Sequence, residues 1–124
     1  MLGSNDVIAF AATTDMLRAR QFYEQTLGLT LVEQNDFAGV FDANGIMLRV
    51  TAVAMVSPAP YTVLGWQVTD IESVVDGLGG RGVSFIRYEG MEQDDRCIWT
   101  APSGGRIAWF ADPDGNVLSL TQFQ

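Results

Sequence analysis

Histidine is absent from this chain of 124 residues, and cysteine occurs once, at Cys97. The first absence removes the commonest protein ligand for zinc, iron and nickel, together with the side chain that most readily exchanges a proton near neutral pH. The second excludes an internal disulfide and any Cys-x-x-Cys metal motif, and it leaves Cys97 with no imidazole to activate it as a nucleophile. Basic residues are few, seven against fifteen acidic ones, for a net charge of −8. Such a chain lacks the clustered positive surface that binds a phosphate backbone, so nucleic acid is not an expected partner. The acidity serves solubility and, at a binding site, weakly favours a cationic or neutral ligand. There is no run of about 18 apolar residues to span a membrane. The opening Met1-Leu2-Gly3-Ser4-Asn5-Asp6 lacks the positive patch and apolar stretch of a signal peptide, so a cytoplasmic location is expected.

What is present reads as one globular domain, residues 1–124, with 48% hydrophobic and 18% charged residues. That length buries on the order of two-thirds of the unfolded surface. Two apolar runs flank Asp112-Pro113-Asp114-Gly115-Asn116, a turn sequence that predicts a β-hairpin over Arg106 to Gln122. The same layout occurs over Phe37 to Thr51, with Asp42-Ala43-Asn44-Gly45 at the turn. Aligning Gly45 with Gly115 sets Met47 on Val117 and Arg49 on Ser119. A second anchor is Thr14-Asp15-Met16 against Thr69-Asp70-Ile71, each after an apolar run and before a helical pattern that ends at Gly28 or Gly82. Two anchors in one order predict a duplicated unit of strand, helix and three strands.

In chain order, Val7 to Ala12 is a strand, Thr14 or Asp15 caps a helix with Met16, Ala19, Phe22, Tyr23 and Leu27 on one face, and Leu29 to Gln34 precedes the first hairpin. Ser57-Pro58-Ala59-Pro60 is a proline-rich linker between a first module of about 5–54 and a second of about 61–122. Tyr61 to Val68 repeats the first strand, Asp70 caps the second helix, and Val83 to Tyr88 is the next strand. Glu89 to Asp95, polar and without periodicity, reads as a mobile loop, and Arg96 to Pro102 resumes an extended pattern.

Ala19-Arg20-Gln21-Phe22-Tyr23 leading to Leu27-Gly28-Leu29, with Ala108-Trp109-Phe110-Ala111 before the Asp112 to Asn116 turn, resembles the vicinal oxygen chelate superfamily. That group includes glyoxalase, bleomycin-resistance proteins and extradiol dioxygenases. The resemblance covers nearly the whole chain and implies an α+β fold of two βαβββ modules, whose curled mixed sheets enclose a cavity with the helices outside. It also implies a homodimer. In metal-dependent members, His, Glu or Gln occupies four inward positions on the first and last strand of each module, and those positions here are Ile8, Arg49, Val63 and Ser119. Two have no donor atom, a guanidinium repels a cation, and a lone serine is a poor ligand, so no metal or other cofactor is expected there. The acids of Glu89 to Asp95 are the other place where a metal could bind.

Strand alternation counted from those positions places Ile8, Phe10, Ala12, Met47, Arg49, Thr51, Tyr61, Val63, Gln67, Val117, Ser119 and Thr121 on the inner face. Leu48, Val50, Leu64, Trp66, Val68, Leu118 and Leu120 then lie on the face packed by helices. The candidate ligand-binding residues are therefore Phe10, Met47, Arg49, Tyr61, Gln67, Trp99, Ser119 and Thr121, with Trp99 a ring for stacking on a planar or cationic ligand. Arg49 could clamp a ligand carboxylate or phosphate, form an ion pair with an acid such as Glu33 or Glu89, or snorkel at the cavity mouth. Asp112 and Asp114 are read as turn acceptors. Three functions are open: a metal-free protein binding a small aromatic or cationic compound, a glyoxalase- or dioxygenase-like enzyme with a non-standard or absent metal site, and an interaction module with no small ligand. No catalytic residue is assigned; Glu33, Glu89 and Tyr61 are only weak candidates for a general acid or base.

Overall fold

The structure is a computed structural model that describes residues 1–124. The chain divides into two compact units, Met1–Pro58 and Ala59–Gln124, and each carries a four-stranded mixed sheet. Unit 1 contains β1 (Ile8–Thr13), α1 (Met16–Arg20), β2 (Thr30–Gln34), β3 (Ala38–Ala43) and β4 (Ile46–Ala52). Its strand order is β1-β4-β3-β2, with β1 parallel to β4 and the remaining pairs antiparallel. Unit 2 contains β5 (Leu64–Gln67), α2 (Ile71–Gly79), β6 (Trp99–Thr100), β7 (Arg106–Ala111) and β8 (Val117–Gln122). Its order is β5-β8-β7-β6, again with the first and last strands parallel.

The predicted aspartates start both helices. Asp15 accepts the Arg18 N–H at 3.2 Å and Asp70 accepts the Ser73 N–H at 3.2 Å, each satisfying one of the donors a helix leaves free at its start. The backbone of α1 then widens into a π-helical segment, Gln21–Thr26. The Leu27 N–H reaches back five residues to the Phe22 carbonyl at 2.9 Å, and the chain leaves through Gly28 at φ 80°. This widened end holds Tyr23, which is fully buried, edge-on to Phe22 at 5.2 Å and tilted against Phe41 of β3 at 5.8 Å.

The apolar face of each sheet is covered by the unit's own helix. α1 packs on β3 and β4, and α2 on β7 and β8. Leu48, Val50, Leu118 and Leu120 are buried, as their alternation predicts, and Phe41 and Phe110 complete the two cores. Each such side chain contributes about 2 kcal/mol through burial, so truncating Phe110 to alanine would cost about 3–5 kcal/mol.

The duplication is legible in the register. Phe10, Arg49 and Val40 lie side by side across β1, β4 and β3. Gly65, Ser119 and Trp109 occupy the same places across β5, β8 and β7. The hairpin turns differ by three residues. Ala43 and Ile46 pair around a two-residue turn in which Asn44 and Gly45 both have positive φ, 52° and 91°. Ala111 and Val117 pair around five residues.

Two expectations fail in unit 2. Val83 to Tyr88 is not a strand: it meets β7 in a single bridge, Phe85 to Phe110, with the Ile86 N–H on the Trp109 carbonyl at 2.8 Å. The edge of β7 is divided between this segment and β6, and β6 itself keeps only two residues of the extended stretch expected over Arg96 to Pro102. Glu89 to Asp95 is not a loose loop. The Gln93 amide donates to the carbonyls of Ile86 at 2.9 Å and Cys97 at 2.8 Å and accepts from the Tyr88 N–H at 2.7 Å, so one side chain supplies the pairing that a strand would have made.

The five-residue turn is held from within. Asp112 is buried, and its Oδ1 accepts the N–H groups of Asp114 and Asn116, both at 3.0 Å, while its Oδ2 accepts the Asn116 amide at 2.8 Å. The structural reading of Asp112 therefore holds. Asp42, by contrast, is exposed and accepts only the Gly45 N–H, at 2.9 Å. Asp112→Ala should lower stability by about 2–3 kcal/mol and Asp42→Ala by less than about 1 kcal/mol. Urea unfolding of the two variants checks this, and equal losses would contradict the assignment.

Candidate functional site

Unit 2 gathers aromatic rings on the sheet face opposite α2. The register sets Trp109 beside Ser119 and Gly65, and Trp99 beside Ile107, which pairs with Thr121, itself opposite Gln67. The Trp99 and Trp109 rings lie 6.3 Å apart and are inclined at 38°, and Tyr88 meets Trp109 edge-on at 5.4 Å. Two hollows flank this wall. One of about 580 Å³ is lined by Met91, Glu92, Asp94, Ile98, Trp99 and Thr100 with the backbone of Gly90. The other, of about 380 Å³, is lined by Pro60, Tyr61, Thr62, Tyr88, Met91 and Trp109. Met91 borders both, as a flexible, polarisable side chain between two aromatic floors. Rings with carboxylates at the rim suit a planar or cationic compound, because the aromatic face attracts positive charge.

The frame behind the wall is polar. Arg87 donates to the backbone carbonyls of Gln93 at 3.0 Å and Asp94 at 2.9 Å. Asp94 accepts the N–H groups of Arg96 and Ile98, both at 2.9 Å. Arg96 grips Asp76 of α2 through two bonds of 2.9 and 3.1 Å and reaches Glu72 at 3.2 Å, while Arg106 meets Glu72 at 3.0 Å. The hydrogen bond from Arg96 is the main reason the Asp76 carboxyl titrates below its ordinary value of 3.8, with the Arg96 charge adding to it and desolvation opposing. Cys97 belongs to this frame: its φ is 63° and its Sγ lies 3.9 Å from the Phe85 carbonyl, which gives it a structural setting. A third hollow, about 330 Å³, lies against α2 beside Cys97 and Arg96.

Unit 1 presents a different surface. Ile8 and Phe10 of β1 and Met47 of β4 share a face and remain 44%, 58% and 42% exposed. Arg49 stands in the Phe10 row, half-buried. It forms no ion pair with Glu33 of its own unit.

The profile of the Glyoxalase/Bleomycin resistance protein/Dioxygenase superfamily matches residues 6–120. The chain belongs to that superfamily. Solved structures agree on the fold. A glyoxalase/bleomycin resistance protein/dioxygenase from Alicyclobacillus acidocaldarius superposes with a TM-score of 0.72 at 17% identity, over 97% of this chain and 92% of that one. A superfamily member from Sphaerobacter thermophilus gives 0.71 at 25% identity, over 94% and 96%. A glyoxalase family protein from Enterococcus faecalis gives 0.69 at 20% identity, over 98% and 99%. No curated protein matches the chain.

Membership in the glyoxalase superfamily raises the question of a metal, and the residues answer it on their chemistry. Ile8 and Arg49 in unit 1, and Val63 and Ser119 in unit 2, offer no set of lone pairs for a divalent cation. The Ser119 hydroxyl is buried against Gly65, where an added Cβ would lie 3.0 Å from its Oγ. No three His, Cys, Asp or Glu side chains converge anywhere, the Glu89 to Asp95 segment included. The donor set does not fit a divalent metal.

Of the eight candidate residues, the structure brings Phe10, Met47 and Arg49 together on the unit 1 face, and Gln67, Trp99, Ser119 and Thr121 on the unit 2 face, with Tyr61 in the smaller hollow. Trp109, which the register sets beside Ser119, is not among those eight. Tyr88, Met91 and Glu92 had no signal, since a residue in an aperiodic loop cannot be assigned a face before Gln93 pins it.

The ion pairs of this frame have a pH signature. Asp76 is held charged in the folded state, so its contribution to stability is present above its ordinary value of 3.8 and is lost as pH falls through its depressed value. The urea midpoint of wild type should exceed that of Arg96→Gln near neutrality, and the gap should close in the most acidic buffers. A gap independent of pH would contradict the pairing.

Proposed function

We propose that this superfamily member is a metal-free small-molecule-binding protein of the glyoxalase/bleomycin-resistance type. It binds or sequesters a small aromatic or cationic compound, acts in the cytoplasm, and works as a homodimer. The observation that supports this reading is the wall of Trp99, Trp109 and Tyr88, with Met91 between two hollows of about 580 and 380 Å³. Those volumes suit a small organic molecule. Glu92, exposed at the rim of the larger hollow, carries a carboxylate free of ion pairs and side-chain hydrogen bonds, and so adds attraction for a cation. Enzymatic chemistry of the glyoxalase or dioxygenase kind is disfavoured by the donor chemistry at Ile8, Arg49, Val63 and Ser119.

Titration with N-methylacridinium and with benzyltrimethylammonium, followed by tryptophan fluorescence, tests the proposal. Saturable quenching is expected, weakened about fivefold or more in Trp99→Ala, and Glu92→Gln should weaken the cations while leaving neutral acridine unaffected. Metal analysis of protein purified without chelators should find well below one metal per chain. Stoichiometric metal together with turnover of a carbonyl or catechol substrate would replace this reading with an enzymatic one, and the absence of any saturable ligand would favour an interaction module.

A further inference from the structure

All seven basic residues of this acidic chain are arginines, and six of them are engaged. Arg20 meets Glu24 and Gln34, Arg87 holds two backbone carbonyls, and Arg96 and Arg106 are tied to Glu72 and its neighbours. Arg18 and Arg81 have interactions as well. Arg49 alone has no hydrogen bond or ion pair for its guanidinium within its unit, although six acids are present there.

Its position makes that isolation informative. Arg49 is the fourth residue of β4, on a strand hydrogen-bonded on both sides, so its stem cannot swing to a distant acid without breaking the sheet. The flanking positions in its row are Phe10 and Val40, and the next row on the same face holds Ile8, Met47 and Asp42, whose carboxylate accepts the Gly45 N–H and forms no ion pair with Arg49. A half-buried guanidinium among apolar neighbours loses part of its hydration and gains no anion within its unit to replace it. Of the side chains a strand can display there, a planar fork with five donors is best matched by a carboxylate, which accepts two parallel bonds. Phe10, more than half exposed one strand away, offers a floor for the body that carries the carboxylate.

We infer that the β1–β4 face of unit 1 is a binding site for a small carboxylate with an apolar or aromatic body. Arg49 takes the anion, and Phe10, Ile8 and Met47 take the body. This site is separate in chemistry from the aromatic wall of unit 2, and the inference stands without the reading proposed for that wall.

Naphthalene-2-carboxylate, the neutral naphthalene-2-carboxamide and naphthalen-2-ylmethylammonium distinguish the possibilities. Amide chemical-shift titration of the full chain should show saturable changes on β1 and β4 for the carboxylate, with Kd below about 1 mM. The carboxamide should bind at least about tenfold more weakly. Arg49→Gln should erase the preference for the carboxylate over the carboxamide, Arg49→Lys should keep part of it, and Phe10→Ala should weaken the naphthyl compounds while leaving acetate unchanged. Thermal melting and sedimentation of each variant accompany the titrations. Equal affinity for carboxylate and carboxamide, shifts confined to unit 2, or no saturable shift at millimolar ligand would each overturn the inference. So would a change of oligomeric state in a folded Arg49→Gln, since the guanidinium would then belong to an acid of a second copy. A tryptophan response to the ammonium compound alone would support the unit 2 reading and still overturn this one.

Discussion

The parallel pairing of the first strand of each unit with its last is the constraint on which the rest depends. Parallel neighbours cannot be joined by a tight turn, so the chain must leave β1 or β5, cross the sheet and return through two antiparallel strands. The crossing segment is a helix in both units, capped by Asp15 or Asp70 at its start, and it closes one face of the sheet. The other face is left for side chains that the core does not require. Every candidate ligand-binding residue but Tyr61 and Trp99 lies on the paired first and last strands, because there the register brings residues distant in sequence side by side.

The two copies have spent that open face differently. In unit 1 the middle row reads Phe10, Arg49, Val40, with bulk and charge on β1 and β4. In unit 2 the same row reads Gly65, Ser119, Trp109, so the bulk has moved to β7 and the charge is gone. Gly65 has no side chain for a reason of space: a Cβ there would lie 3.0 Å from the Ser119 hydroxyl. One unit thus offers a cation above an exposed ring, and the other offers rings with a carboxylate at the rim. Duplicated frames let two complementary chemistries diverge without disturbing either core, since the residues concerned face away from the helices.

What the sequence made legible was local. The capping aspartates, the glycines that end the helices, the turns and the duplicated order each rest on a few neighbouring residues, and the structure agrees with all of them. The alternation of apolar residues in β4 also separated the buried face from the open one, whereas in β8 Val117 and Ser119 are buried along with Leu118 and Leu120. The misses are non-local. Val83 to Tyr88 has the composition of a strand, yet its pairing partner β7 is shared with Trp99 and Thr100, and competition for one edge cannot be seen along the chain. Glu89 to Asp95 has no periodicity because its order comes from a side chain, Gln93, that acts in place of backbone pairing. That Arg49 has no partner within its unit is likewise a fact about where the acids of unit 1 lie in space.

Magnitudes decide what holds the aromatic wall in place. The ion pairs of Arg96 and Arg106 with Glu72, Asp76 and Asp94 lie at the surface, where water and salt screen them and each contributes little. The three hydrogen bonds of Gln93 are partly buried, and losing that amide would strand the Tyr88 N–H and the carbonyls of Ile86 and Cys97, at about 1–3 kcal/mol for each group left unsatisfied. The wall is therefore positioned by the neutral amide, with the arginines trimming the loop against α2. Tyr88, one residue from Glu89, sits against Trp109 because its own backbone N–H is held by Gln93, five residues further on. The ring geometry on which ligand binding would rest is thus set by a residue that touches no ligand, and it should be far less sensitive to salt than the charged frame around it suggests.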